Sequence, residues 1–289
     1  MQNLLFSLFL VVYILTLLGN GAIVCAVKWD KQLHTPMYIL LGNFAFLEIC
    51  YVSSTVPNLL ANFLSETKTI SFSGCFLQLY FYYSLGTAEC FFLSVMAYDL
   101  YLAICHPLHY PTIMTGGFCA ILISACWVGG FLYYPVPIIL ISQQSFCGPN
   151  LIDHFACEEG PLLGLVCVPA PITESICYTF NSILILGSLF PIVGSYTLVL
   201  RAVLHIPSGG GRWKAFSTCG SHLMVVSLFY GSLMAIFVCP SSGNPAEMKK
   251  IVTLGYSVAT PLLNPLIYSL RNKDMKNALR KVLQGLKIS

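Results

Sequence analysis

The chain has 289 residues and a net charge of +3. It is 57% hydrophobic and 13% aromatic, and only 9% of it is charged. A soluble domain carries about 25% charged residues, so lipid must cover much of this surface, and the weak positive charge gives no support to a nucleic-acid partner. The 13 cysteines are scattered with no paired CxxC to suggest zinc, no Gly-rich phosphate loop follows a strand pattern, and no internal repeat supports an inverted-repeat transporter.

Seven apolar windows follow one another, each about 20 residues or longer, the length a helix needs to cross a bilayer. They predict helices over about 4–27, 37–63, 75–104, 118–141, 175–204, 215–239 and 251–270. Leu4 to Val27 holds no charge and is too long for a signal-peptide core, so it is read as a retained first span. Lys28 to Pro36 is a short loop. The second span holds one charge, Glu48, and the third holds Glu89 mid-span with Asp99 at its end. From Leu100 to Ile152 there is no further charge, so Pro107, Pro111 and Gly116-Gly117 must mark the next loop. After the seventh window, Met275, Leu279, Val282 and Leu286 recur at helical spacing among Lys276, Arg280, Lys281 and Lys287. That pattern predicts a basic amphipathic helix over 272–287, suited to an anionic inner leaflet; its bland alternative is a solvated tail helix. The fold class is therefore all-α: one seven-helix transmembrane domain over residues 1–289 with a short surface helix.

Orientation follows from Lys and Arg. Eleven of the 14 fall at Lys28, Lys31, Arg201, Arg212, Lys214 and in the tail, against Lys68, Lys249 and Lys250 on the other side. The positive-inside tendency places the tail in the cytosol and the N-terminus outside. Gln143 to Glu174 is then a long outer connection carrying Cys147, Cys157 and Cys167, with Cys75 at the same face. Two disulfides fit that oxidising side, and four cysteines leave three pairings open. Asp153, Glu158, Glu159 and Glu174 make the lid negative. The other nine cysteines are read as small packing residues.

Ionisable residues inside a span are costly and are functional candidates. At 1.5 Å per residue, Glu48 lies roughly 16 Å into its helix and Glu89 roughly 21 Å from the opposite face, so both fall near mid-membrane. Asn20 and Asn264 reach a similar layer. Two carboxylates with amides can hold a sodium ion, or share one proton because close like charges resist joint ionisation. A protonated packing pair is the competing reading. On the third helix, Leu79, Tyr82, Tyr83, Gly86 and Cys90 form a stripe facing the interior or a neighbouring helix; alone, such a stripe is more often packing than a pocket.

The motifs resemble those of the olfactory receptors, a rhodopsin-like G-protein-coupled receptor family. Met96 to Tyr110 reads M-A-Y-D-L-Y-L-A-I-C-H-P-L-H-Y, against M-A-Y-D-R-Y-x-A-I-C-x-P-L-x-Y in the family. Gly19-Asn20, Leu33 to Tyr38 (L-H-T-P-M-Y), Ser195-Tyr196, Lys214 to Gly231 (K-A-F-S-T-C-G-S-H-L-M-V-V-S-L-F-Y-G) and Pro261 to Asn272 (P-L-L-N-P-L-I-Y-S-L-R-N) match in order along nearly the whole chain. Three features depart from the family. Leu100 replaces an arginine, Glu48 stands where aspartate is commoner, and the N-terminus is short with no Asn-x-Ser/Thr sequon in the chain. The last puts surface delivery in question unless a segment precedes Met1.

The resemblance selects Cys75 with Cys157 and Cys147 with Cys167 as disulfides. It implies a ligand cavity lined by Tyr82, Tyr83, Gly86, Thr87, Phe180, Leu184, Tyr230, Leu233 and Tyr256, above an ion or proton site at Glu48 and Glu89 with Asn20 and Asn264. It assigns coupling and activation to Asp99, Leu100, Tyr101, Tyr196 and Tyr268. His222 is read as an inner-end packing or hydrogen-bonding residue, and His106 and His109 as flanks of a loop. With no cation in the set, a small, neutral, mostly hydrophobic volatile fits. A biogenic amine does not, since it calls for an acid at that depth of the third helix. The resemblance further implies a stimulatory olfactory-type G protein, a plasma-membrane location in sensory cilia, and no enzyme activity or cofactor beyond the sodium ion. A receptor that no longer signals, or a non-coupling membrane partner subunit, is the alternative that Leu100 raises. An ion-coupled transporter is a distant third, resting on Glu48 and Glu89.

Overall fold

A strongly apolar run inside a bilayer satisfies its own backbone by forming helix. The computed structural model is helical throughout its regular elements, with one isolated antiparallel bridge, Phe146 to Val166, among the described residues. It describes residues 2–147, 150–205, 210–237, 252–271 and 273–285, with side chains for all of these except 205, 210–218, 235–237, 268–271, 273 and 283–285. Five helical stretches are long and apolar enough to cross a membrane: Gln2–Trp29, Pro36–Leu64, Phe72–Cys105, Gly116–Ser142 and Pro171–Leu204. Two shorter apolar stretches, Cys219–Met234 and Val252–Ile267, follow.

Local chemistry sets the ends. Helix α1 is Gln2–Trp29 and α2 is Pro36–Leu64, with Pro36 at the first turn, where its missing N–H costs nothing. Helix α3, Phe72–Cys105, starts at Ser71, whose Oγ accepts from the Gly74 N–H at 3.1 Å, and stops one residue before Pro107, at His106. A short turn, α4 (Tyr110–Ile113), leads to α5 (Gly116–Tyr133), capped by Thr115. Tyr134 then breaks the helix and Pro135 opens α6, Pro135–Ser142. The fourth apolar window is thus two helices with a bend, because Pro135 cannot donate into the preceding turn. Helix α7 (Glu159–Leu163) lies in the outer connection, α8 is Pro171–His205, and α9 is Gly210–Phe237. A π-helical turn, Gly255–Ala259, precedes α10, Thr260–Arg271. The tail helix α11 is Lys273–Gly285. Helix α8 opens at Pro171, upstream of the expected 175, because Pro suits a helix start.

Helix α3 is the central strut, packing against α2, α5, α8 and α9. Its approach to α5 depends on Gly130: a Cβ there would lie 2.7 Å from the Ala88 Cβ and 2.8 Å from the Ser84 carbonyl oxygen. Small residues let helix backbones close in where lipid supplies no hydrophobic drive. The tail helix buries Met275 and Ala278 against the bundle while Lys276, Arg280 and Lys281 stay exposed. Its apolar stripe therefore turns at least partly onto protein. Lys281 Nζ meets Asp30 Oδ2 at 2.8 Å, tying the tail to the first inner loop. This hydrogen bond holds the Asp30 carboxyl below its usual range.

Over the outer end, the chain from Gln143 to Ala170 forms a lid. Cys75 and Cys157 are bridged with Cα atoms 5.5 Å apart, and Cys147 and Cys167 with Cα atoms 4.9 Å apart. The second bridge is flanked by paired backbone bonds, Cys147 N–H to Leu165 O at 3.0 Å and Cys167 N–H to Ser145 O at 2.8 Å. Of the lid acids, Asp153 and Glu174 are exposed, but Glu158 and Glu159 turn inward, so the lid is less negative outside than its sequence suggests. Mass spectrometry of unreduced peptides should recover the Cys75 to Cys157 link. Cys75→Ser should lower the melting temperature, on the scale of the roughly 2–5 kcal/mol a loop-closing bond contributes in small domains.

Candidate functional site

A cavity of about 60 Å³ lies beneath the lid, between α3, α8, α9 and the π-helical turn. On the measure by which one water needs about 10–15 Å³, this is room for a small molecule. Seven of the nine expected ligand residues line it: Tyr82, Tyr83, Gly86, Thr87, Leu184, Leu233 and Tyr256. Phe180 does not, since it packs beside Tyr133 at a ring separation of 5.4 Å and borders an outward groove instead. Tyr230 also lies off the wall and donates its hydroxyl to Ser188 Oγ at 2.7 Å. Helical spacing alone could not separate these two from the residues one turn away.

An aromatic chain frames the cavity. Tyr51 of α2 stacks on Tyr82 at 5.3 Å, Tyr82 meets Tyr83 edge-on at 5.3 Å, and Tyr83 stacks on Tyr134 at 4.5 Å. Tyr51 donates a hydrogen bond to Tyr256 on the π-helical turn. Gly86 leaves space between them; a Cβ there would stand 3.7 Å from the Tyr51 ring. Phe229 covers Tyr256 from α9 with an edge contact at 5.9 Å.

Sequence reading missed three polar contributors, Glu158, Asn181 and Thr253. For Glu158 a signal existed: it follows Cys157, and a residue adjoining a half-cystine that reaches the outer end of α3 must sit over the bundle mouth. Cys157 N–H is further fixed by Gln78 Oε1 at 3.0 Å. Its neighbour Glu159 belongs to a closed ring of hydrogen bonds. The Tyr134 hydroxyl lies 2.7 Å from Glu159 Oε1 and 2.8 Å from Asn181 Oδ1, and the Asn181 amide donates to Glu159 Oε2 at 2.9 Å. Tyr134 has one proton for two acceptors, so a protonated Glu159 completes the ring by donating to it. Burial raises the Glu159 carboxyl in that sense.

Deeper, Asn264 Nδ2 donates to Glu48 Oε1, and the Glu48 and Glu89 carboxyl groups are hydrogen-bond neighbours. Glu48 Oε2 and Asn264 Oδ1 are buried without a hydrogen-bond partner. The Asn20 amide nitrogen donates to Thr16 O and Pro261 O, each at 3.0 Å. No group of three or more His, Cys, Asp or Glu suited to a metal exists among the described residues.

At the inner end, Asp99 is buried and accepts from the Tyr110 hydroxyl at 2.8 Å, while Leu100 is buried beside it in sequence. Tyr101 pairs with His106 Nε2 at 2.9 Å. Tyr196 hydrogen-bonds His222 Nδ1 and stacks on its ring at 5.8 Å. Val199, Val203 and Cys219 close an apolar seam against Tyr101, Ile104, Cys105 and Tyr196. The side chains of Tyr268, Arg212 and Lys214 lie outside the described residues.

Burial pushes the Glu158 carboxyl from its ordinary 4.5 up to about 8, with Glu159 adding to the rise and Tyr82 opposing it. His154 of the lid stands 3.8 Å away on its other side. An acid raised in the folded state binds its proton more tightly there than in the unfolded chain. Its stabilising contribution is complete below about pH 4.5 and is lost as pH climbs through about 8. Melting temperatures measured across that window should fall with rising pH, and Glu158→Gln should make the slope shallower.

Comparison with known proteins accounts for this arrangement. The olfactory receptor family model matches residues 9–285. The human olfactory receptor 11H6 is 74% identical over 289 residues, covering 100% of this chain and 87% of its own. Human olfactory receptor 11H4 is 66% identical over 287 residues, covering 99% and 89%, and human olfactory receptor 11G2 is 63% identical over 280 residues, covering 97% and 81%. The lidded helical cavity, the two bridges and the ordered motifs thus have one explanation: the chain belongs to the olfactory receptor family of G-protein-coupled receptors and is not an enzyme.

Proposed function

We propose that this receptor crosses the plasma membrane of sensory cilia seven times, with its N-terminus outside. In this reading it binds a small, mostly hydrophobic volatile in the lidded cavity and signals to a stimulatory olfactory-type G protein. The observation that carries the reading is the cavity beneath the lid. It is walled by aromatic and aliphatic side chains from α3, α8, α9 and the π-helical turn, and two disulfides hold its cover. Such a site buries most of a small apolar ligand. The basic tail helix, anchored to Asp30 by Lys281, suits the cytosolic leaflet.

Glu48, Glu89 and Asn264 fit a sodium ion, because two buried oxygens there lack partners and a cation would relieve the repulsion of adjacent carboxylates. Bound, the ion would supply positive charge between α2, α3 and α10 and restrain them. Thermal stability should then rise with sodium chloride but not with a bulky organic chloride. Glu89→Gln should remove that difference, and equal stabilisation by both salts would leave a packing pair.

Leu100 favours a second reading, a receptor that binds ligand but couples weakly. Leucine has no donor for a G protein or for Tyr196, whose hydroxyl is engaged with His222. Tyr101 is no ready substitute, being paired with His106. Asp99 keeps a partner through Tyr110, so the resting side retains a restraint that the missing arginine would otherwise supply. A hydrogen bond to a charged group contributes about 1.5–3 kcal/mol; the active side loses it outright, whereas the resting side keeps Tyr110 on Asp99, so the active side loses more. At equal surface expression, Leu100→Arg should raise ligand-evoked cyclic AMP severalfold over wild type. A strong wild-type response that arginine does not improve would refute weak coupling.

A further inference from the structure

The walls of the ligand cavity hold several polar side chains, and most are already spent. The Thr87 hydroxyl donates to the Tyr83 carbonyl at 2.8 Å. The Asn181 amide is committed on both sides within the ring with Tyr134 and Glu159. Tyr51 and Tyr256 bond one another. Glu158 differs: its Oε1 is buried and without a hydrogen-bond partner. A buried polar atom in that state costs about 1–3 kcal/mol unless something pairs with it.

Position makes the orphaned oxygen informative. Glu158 borders the ligand cavity and also a smaller one of about 20 Å³ beneath the lid, shared with His154, Thr253 and Ser257. Its backbone cannot drift, because Cys157 is bridged to α3 and its N–H is held by Gln78. The groups facing the carboxyl are Tyr82 from α3, which hydrogen-bonds it and leaves Oε1 over, Tyr83 from α3, Tyr256 from the π-helical turn, Glu159 from α7, and His154 from the lid. The His154 contact, at 3.8 Å, is too long for a hydrogen bond, and no Lys or Arg lines either cavity among the described residues. Burial favours the protonated form of this carboxyl, raising it to about 8. A protonated carboxyl is an O–H donor with acceptor capacity left over.

We propose that Glu158 is the polar anchor of this cavity and selects small apolar ligands that carry a carbonyl-type oxygen. The ligand oxygen accepts a hydrogen bond from the carboxyl group while its hydrocarbon part lies against Leu184, Leu233 and Phe229. The lid acid therefore sets the polar end of the specificity that α3 and α8 leave apolar, and it disfavours amines, which require an ionised partner. This rests on the reading of the cavity as the ligand site.

The test uses the full receptor in lipid nanodiscs and three probes matched in heavy-atom count: pentanal, pentylamine and hexane. Apparent Kd comes from ligand-dependent shifts in thermal unfolding, which does not rely on coupling through Leu100. Glu158→Leu should weaken pentanal about tenfold or more, the scale of one buried hydrogen bond, and leave hexane unchanged. Glu158→Gln, which keeps a neutral donor, should hold pentanal within about threefold of wild type, less than one such bond is worth. Equal weakening of pentanal and hexane would reduce Glu158 to a lid support and overturn the anchor. So would pentylamine binding more tightly than pentanal to wild type. Hexane binding with pentanal indifferent to both variants would overturn the anchor and spare the cavity reading, whereas no probe binding to wild type would overturn both. If Glu158→Leu fails to fold, the carbonyl stretch of isotope-labelled pentanal bound to wild type decides: a shift to lower wavenumber that Glu158→Gln alters supports the anchor, and an unshifted band overturns it.

Discussion

The link from Cys157 to Cys75 fixes more of this molecule than any other single contact. It joins the lid to the first turn of α3, the helix that packs against α2, α5, α8 and α9. Everything functional at the outer end is referred to that joint. Gln78, one turn along α3, receives the Cys157 N–H, so the lid strand is held by one covalent and one hydrogen bond to the same helix. Glu158 and Glu159 follow at once, and their inward direction is a consequence of that anchoring. The Tyr134, Asn181 and Glu159 ring then ties the lid to the bend between α5 and α6 and to α8. The roof of the cavity is therefore attached to three separate helices.

The bend at Tyr134 shows how local chemistry serves the site. Pro135 ends the hydrogen-bond ladder of α5, and the break leaves Tyr134 fully buried with its ring stacked on Tyr83. A straight helix would carry that side chain elsewhere. Lower down, Gly130 lets α5 lie against Ala88 of α3. The same apolar segment thus approaches α3 closely at one level and turns at the next, which places an aromatic residue between cavity and lid.

Much of this was legible in the sequence, and for physical reasons. Low charge, long apolar windows and ordered motifs pointed to a helical membrane receptor, and Cys75, Cys147, Cys157 and Cys167 were assigned to pairs by family resemblance. The α3 stripe was readable because Tyr82, Tyr83 and Gly86 recur at helical spacing. Phe180 and Tyr230 were misplaced because a neighbouring turn shares their periodicity, and only rotation of the whole helix decides which turn faces in. The bend at Tyr134 had a signal in Pro135, but the apolar window was read straight through it. Glu158 was visible as an acid, but charge alone said solvent; its burial follows from a disulfide that closes 82 residues of chain, a long-range effect no local window contains.

The inner face has its own consequence. Its hydrogen bonds near Leu100 include Asp99 with Tyr110, Tyr101 with His106, and Tyr196 with His222. Each includes a phenol hydroxyl, and none is an attraction between two opposite formal charges. Mobile ions weaken attraction between full charges far more than they weaken short, oriented dipolar contacts. The clasp around Leu100 is therefore one that ionic strength leaves almost untouched. The Lys281 to Asp30 tether of the tail, exposed and fully charged, loosens in brine while that clasp stays shut.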